Sequence, residues 1–212
     1  MIIQKMIQII WNKYVEITEI WKTSYTGFQF NLKHKTIKTV YNNSEMCRTI
    51  IDYRNFLLEK FETIKEINFL SNTNVLSDFT CRIKNLNSID QKLTGYVNSS
   101  VHGFGEVPTI KCFNDLFGMR YIYDDNENVS LKTLQEAVNN LDLTQNIKVI
   151  DSSKEAGYKA IHLYFKYDNQ NFPWELQFWN RKDEQNNKEN HERYKQQYTV
   201  REIEYKTEDR KI

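Results

Sequence analysis

Four short polar signatures follow one another along the chain: Arg82-x-Lys84, Asp115-x-x-Gly118-x-Arg120, Gly157-Tyr158-x-x-x-His162 and Glu175-x-Gln177. Each lies in or beside an apolar, strand-like run. Two acids able to hold Mg²⁺ and several cations able to hold polyphosphate, set on separate strands, suggest phosphate transfer run by positioning and electrostatics rather than through a covalent intermediate. The sequence has no metal-type His/Cys spacing, no G-x-S-x-G elbow and no P-loop, so those chemistries find no support.

Along FTCRIK, alternation sends Phe79, Cys81 and Ile83 to one face and Arg82 with Lys84 to the other. Ser88-Ile89-Asp90-Gln91-Lys92 reads as an N-capped helix start that returns Lys92 toward the same surface. An arginine suits stacking on a base or forked phosphate contacts, and a lysine acts as a point charge. Taken alone, R-x-K reads as a solvated strand face.

Asp115 stands before a strand that Gly118 enters and Arg120 occupies. An acid at a strand edge can hold a metal; the alternatives are a helix cap for Asp115 and an ion pair for Arg120. In PWELQFW, Glu175, Gln177 and Trp179 alternate with Trp174, Leu176 and Phe178. A charge in so apolar a strand needs a reason, either a metal site shared with Asp115, an exposed sheet face, or pairing with Arg120. Lys154, Gly157 and Tyr158 lead into a strand carrying His162, and the Tyr158 ring is placed where it could stack on a nucleobase.

The elements that must hold these residues are legible from periodicity. Ile3, Met6, Ile10 and Tyr14, then Ile50, Tyr53, Leu57, Phe61 and Ile64, recur at three and four, which predicts helices between Met1 and about Asn72. The polar stretch Gly27 to Asn43 separates them. After the turn Ser71 to Asn74 the period becomes two, and LSDFTCRIK, GMRYIY, NIKVID, AIHLYFKY and PWELQFW read as strands. Helical spacers over Ser88 to Leu93, Leu131 to Leu141 and Arg181 to Tyr198 complete an α/β sheet. The expected division is a helical extension over 1–74, a catalytic domain over 75–198 and a short tail over 199–212.

With 212 residues the chain can bury one full core, alone or with a helical extension. Lysines and arginines number 29 against 28 acids, so no global field draws it to nucleic acid or membrane. RNA binding would need a local basic patch, at Lys33, His34, Lys35 and Lys38 or at Arg181/Lys182. Cys47, Cys81 and Cys112 form no C-x-x-C pair and leave an odd count, as in a reduced, cytoplasmic chain. The first residues carry Lys5 and Lys13 and fall short of a membrane span, so an amphipathic helix packed on the domain is expected, with no membrane partner.

In order, the signatures resemble the RelA/SpoT-type alarmone synthetase domain, and the size is similar to that of a small alarmone synthetase. The resemblance rests on Arg82/Lys84, Ser88/Ile89/Lys92, Asp115/Gly118/Arg120, Lys154/Gly157/Tyr158/His162, Glu175/Gln177 and His191/Tyr194/Lys195, and spans Phe79 to Lys195. It implies a nucleotidyltransferase-like mixed five-stranded sheet flanked by helices. It also implies a transferase that moves the β,γ-pyrophosphate of ATP to the 3′-hydroxyl of GDP or GTP. In that reading Arg82 and Arg120 sandwich adenine, Lys84, Lys92 and Lys154 hold phosphates, and Asp115 and Glu175 bind Mg²⁺ and carry catalysis. Tyr158 stacks on the acceptor's guanine, while Gln177 and His162 order the acceptor side.

Three departures from the family pattern bear on phosphate or acceptor contacts. Ile150-Asp151-Ser152-Ser153 replaces the usual D-Y-I and Pro-Lys lead-in to Lys154, Trp179-Asn180 stands where an Arg-Thr step is common, and Thr94-Gly95-Tyr96 follows the S-I-x-x-K lysine. They keep two alternatives open. One is a toxic family member that pyrophosphorylates the 3′ end of tRNA or makes adenosine alarmones, with an antitoxin protein as partner. The other is a degenerate domain that binds nucleotide or a partner without chemistry. The chain ends soon after Tyr194-Lys195, without the long C-terminal helices of tetrameric relatives, so a monomer or dimer is expected. Its four histidines, at 34, 102, 162 and 191, form no HD-type hydrolase cluster.

Overall fold

The three-and-four periodicity of the first third becomes three of four helices, α1 (Ile2–Ser24), α2 (Ile37–Tyr41), α3 (Ser44–Glu59) and α4 (Phe61–Lys65), with α2 the exception. The computed structural model describes residues 2–65, 78–154 and 157–190. In α3 the Asn43 side chain accepts the Met46 amide at 2.9 Å, and Glu45 sits in the first turn, where an anion favours the helix dipole. Met46, Thr49, Ile50, Tyr53, Phe56 and Leu57 then form one buried stripe.

Five strands follow: β1 (Phe79–Ile83), β2 (Phe117–Tyr123), β3 (Ile147–Asp151), β4 (Ile161–Phe165) and β5 (Trp174–Asn180). They form one mixed sheet in the order β1-β2-β5-β4-β3. Only β2 and β5 run parallel; the other neighbours are antiparallel. Helices α5 (Leu86–Val97), α6 (Thr109–Cys112) and α7 (Leu131–Asn140) lie between strands.

One face of the sheet meets the N-terminal helices. Tyr14 of α1 lies against Trp174 with ring centroids 5.2 Å apart, and the Trp174 indole N–H donates to the Tyr53 hydroxyl of α3 at 3.1 Å. Tyr14 is fully buried, and its hydroxyl accepts the Tyr167 amide at 3.0 Å while donating to the Phe172 carbonyl at 3.3 Å. Residues of α1, α3 and the sheet thus share one hydrophobic core. Among the described residues no helix is long and apolar enough to cross a membrane.

Several local expectations change. Helix α5 starts before Ser88, because Asn85 takes the cap and accepts the Ser88 amide at 2.7 Å. The polar stretch 27–43 contributes buried Phe30, Leu32, Ile37 and Val40 and folds short helix α2, five residues being too few to show a period. Strand β5 offers no exposed face, since Glu175 and Gln177 are each 5% exposed and Trp179 is fully buried. Past β5, a 3-10 turn Arg181–Asp183 leads into helical residues 184–190. The expected turn Ser71 to Asn74, the His191/Tyr194/Lys195 segment, the rest of the spacer expected to run to Tyr198, and the tail 199–212 lie outside the described residues.

Candidate active site

Strand register collects the polar signatures. Arg82 pairs with Gly118, Gly118 with Glu175, and Glu175 with Tyr164; one step along, Thr80, Arg120, Gln177 and His162 form a second cross-strand row. Side chains two apart on a strand share a face, so both rows project from the sheet side opposite Trp174, Leu176 and Phe178. A cavity of about 540 Å³ opens there. Its walls include Arg82, Lys84, Lys92 and Asp115, and also Lys154, Tyr158, His162, Glu175 and Gln177. Arg120 is not part of the lining and lies behind Gln177.

Asp115 is held by two ammonium groups. Lys84 Nζ lies 2.5 Å from Oδ2 and Lys92 Nζ lies 3.2 Å from Oδ1, with all three side chains at most 20% exposed. Burial alone would raise the Asp115 pKa, but Lys92 and Lys84 outweigh it and hold the carboxyl well below the usual carboxylate range. Burial pulls Lys84 down against the pull of Asp115, whereas for Lys92 the attraction of Asp115 overcomes burial and raises it. Asp115 is therefore an anion between two cations, and the helix-cap alternative falls away. From α3, the Arg54 Nε–H donates to the Lys84 carbonyl at 3.2 Å and fixes the end of the R-x-K strand.

Glu175 sits in a connected hydrogen-bond network. His162 Nδ1 approaches Oε1 at 3.0 Å and the Gln177 amide donates to Oε2 at 2.8 Å. His162 Nε2 meets the Tyr158 hydroxyl at 2.9 Å, and the Trp179 indole N–H donates to that same hydroxyl at 3.2 Å. Gln177 Oε1 in turn accepts from Arg120 Nη2 at 3.2 Å. Burial would raise the Glu175 pKa, but the His162 hydrogen bond and charge prevail and keep it ionised. Arg120 does not pair with Glu175; its guanidinium carbon stands 3.4 Å from the Trp179 ring centroid. Burial, then the neighbouring Arg82 charge, push Arg120 down to about 10, still cationic at neutral pH.

Two glycines border this arrangement. Arg82 lies over Gly118, where an added Cβ would stand in ordinary van der Waals contact, 3.4 Å from Nε. Gly157 has φ +94°, a conformation that favours glycine, and a Cβ there would meet Asn186 Nδ2 at 2.9 Å. That amide donates to the Gly157 carbonyl at 2.6 Å, and buried Asn187 clamps Lys159 through both its backbone groups at 2.8–2.9 Å. The Tyr158 entrance is thereby fixed. Its ring is only 7% exposed and edge-on to His162 and Trp179, and burial pushes its phenol up to about 12. It is less open than a strand-entrance position suggests.

Tyr164 lines the cavity, and Trp179, Asn186 and Asn187 contact residues of its walls or their neighbours; sequence reasoning gives none of the four a place at the site. Tyr164 falls on the site face two residues after His162, and its hydroxyl lies 3.0 Å from His162 Nδ1; the period of two was the signal that could have found it. The Arg181/Lys182 patch is charge-compensated rather than basic. Arg181 pairs with Asp78 and with Asp124 at 2.6 Å, and Lys182 pairs with Asp125 at 3.1 Å.

Asp115 and Glu175 are ionised carboxylates on the walls of one cavity, their oxygens held by Lys84, Lys92, His162 and Gln177. Among the described residues no group of three or more His, Cys, Asp or Glu could hold a metal, so a cation there would have these two acids as its protein carboxylates. Such a pair suits Mg²⁺, which takes one or two carboxylates and completes its shell with phosphate and water.

The model of the region found in RelA / SpoT proteins matches residues 81–199, more than half of the 212. The chain belongs to the RelA/SpoT family. The match takes in all four polar signatures of this RelA/SpoT protein, from Arg82 to Gln177. Among solved structures, small alarmone synthetase 1 from Bacillus subtilis is similar at 19% identity, covering 74% of this chain and 82% of its own, with a TM-score of 0.43. Small alarmone synthetase 2 from Bacillus subtilis is similar at 16% identity, with 72% and 81% covered and a TM-score of 0.41. Smu.1046c from Streptococcus mutans UA159 is similar at 18% identity, with 77% and 91% covered and a TM-score of 0.32. No curated protein matches the chain.

Proposed function

We propose that this RelA/SpoT protein is a pyrophosphokinase-type transferase that moves the β,γ-pyrophosphate of ATP onto the 3′-hydroxyl of GDP or GTP. The observation that carries the reading is the meeting of an acid–lysine cluster (Asp115, Lys84, Lys92) and a second, networked acid (Glu175) on one cavity of about 540 Å³. Family membership supports the reaction type.

In the reaction the acceptor oxygen attacks the β-phosphorus, the bond from that phosphorus to the α,β-bridging oxygen breaks, and AMP leaves. The hydroxyl proton passes to a base or water, and no redox change occurs. Mg²⁺, held by Asp115 and Glu175, would supply charge neutralisation on the pyrophosphate. Lys84 and Lys92 act as point charges on the phosphates, a role supported by their place beside Asp115 in a shielded pocket. Arg82, on the cavity wall, takes the adenine, and Arg120, held off the wall by Gln177 and Trp179, backs the donor side. Lys154, Tyr158, His162 and Gln177 form the acceptor side, with His162 and Gln177 orienting Glu175 through its two oxygens.

The test is incubation with labelled ATP and Mg²⁺ against GDP, GTP, ADP and deacylated tRNA. Label in GDP or GTP supports the proposal. Label in tRNA or ADP alone moves the protein to a different acceptor class, and label in none, with Asp115→Ala unchanged from wild type, removes the enzymatic reading.

A further inference from the structure

We propose that Trp179 is a positioning residue that ties the donor half of the site to its acceptor half. The inference rests on the function proposed above, since it assigns Arg120 to the ATP side and Tyr158 to the acceptor side. Trp179 is fully buried, so it touches no substrate itself. Its indole serves both halves at once. The Arg120 guanidinium carbon lies 3.4 Å from the ring centroid, a cation–π contact that sets the plane of the arginine. The indole N–H donates to the Tyr158 hydroxyl at 3.2 Å, and the same hydroxyl meets His162 Nε2 at 2.9 Å.

Register explains why one residue can do both. Trp179 lies two positions beyond Gln177 on β5, on the site face, and pairs with Ile122 of β2, two positions beyond Arg120. Tyr158 enters β4, the strand on the other flank of β5. The indole therefore spans the strands that carry Arg120 and His162. A phenylalanine would keep a ring beneath Arg120 and lose the donor; a leucine would lose both.

The experiment measures KM and kcat for ATP and for whichever acceptor among GDP, GTP, ADP and deacylated tRNA the wild type labels, with melting temperatures alongside. Trp179→Phe should raise the acceptor KM about two- to tenfold, the worth of one neutral hydrogen bond, with the ATP KM unchanged. Trp179→Leu should raise the ATP KM as well. The double variant Trp179→Phe/Tyr158→Phe should be no worse toward acceptor than Tyr158→Phe alone, because either change removes the same bond. The inference is overturned if Trp179→Phe shifts both KM values alike or neither, or if the double variant shows the sum of the single losses. Should Trp179→Leu fail to fold, the phenylalanine pair decides. A wild type that labels no acceptor instead sinks the proposed function, and the inference with it.

Discussion

Lys84 Nζ lies 2.5 Å from Asp115 Oδ2, so an ion pair joins the end of β1 to the residues just before β2, beside the bond from the Lys84 N–H to the Leu116 carbonyl at 2.9 Å. Lys92 of α5 closes the cluster from the other carboxylate oxygen. Three segments distant in the chain meet at one carboxylate. Asp115→Asn should therefore cost on the order of 3 kcal/mol of stability, since it leaves two part-buried ammonium groups without their partner. Denaturant unfolding of the variant checks the value; a loss under about 0.5 kcal/mol, typical of a surface pair, would contradict it.

The same carboxylate sets a pH dependence. Its folded-state pKa is depressed, so its stabilisation is present above the unfolded value of about 4 and is lost as pH falls toward the folded one. The gap in melting temperature between wild type and Asp115→Asn should hold from about pH 7 to about pH 5 and narrow below about pH 4. A gap that widens on acidification would reverse the sign.

At Gly118 the bare backbone faces the Arg82 side chain. A Cβ would sit in ordinary van der Waals contact, 3.4 Å from Arg82 Nε, so Gly118→Ala should fold with a change within about 1 kcal/mol. Gly118→Val adds branches that have no such room and should raise the KM for ATP by displacing Arg82. Equal ATP constants for glycine, alanine and valine would remove this role.

Gly157 makes a different demand, on the backbone. Its φ is +94°, and a methyl carbon added there would stand 2.9 Å from Asn186 Nδ2. Gly157→Ala should therefore destabilise by roughly 1–3 kcal/mol and disturb the Tyr158 entrance. Thermal melts and the acceptor KM should move together. A neutral substitution would show that the turn can relax without the glycine.

The Tyr14 hydroxyl satisfies two backbone groups inside the core, the Tyr167 amide and the Phe172 carbonyl. Tyr14→Phe should cost about 1–3 kcal/mol and leave kcat unchanged, because the lesion lies on the face opposite the site. A fall in kcat at unchanged stability would instead connect α1 to catalysis.

The strands were legible because each keeps a period of two over part of its length, and the charged positions in FTCRIK, GMRYIY and PWELQFW fall on one face once the strands pair. The convergence of Lys92 was legible too, from the helix expected after β1. What alternation cannot supply is partner identity. Glu175 answers to His162 and Gln177 rather than Arg120, and Trp179 bridges Arg120 and Tyr158, because register and side-chain reach are fixed only when β5 is inserted between β2 and β4. Asn85 displaced Ser88 as the α5 cap because both are good capping residues and the apolar pattern does not mark which begins the helix. Arg181 and Lys182 looked basic along the chain, yet the acids that compensate them, Asp78, Asp124 and Asp125, come from the neighbourhood of β1 and β2.

If two phosphates move as one unit at a site built on Asp115 and Glu175, the nucleotide left behind must be AMP. The decisive measurement follows ATP labelled on the α-phosphate together with acceptor mass, in wild type, Asp115→Asn and Glu175→Gln. The wild type should release one AMP for each acceptor that gains a pyrophosphate, and both variants should turn over at least about a hundredfold more slowly. ADP as the nucleotide product, or full activity in either variant, would contradict the proposed transfer.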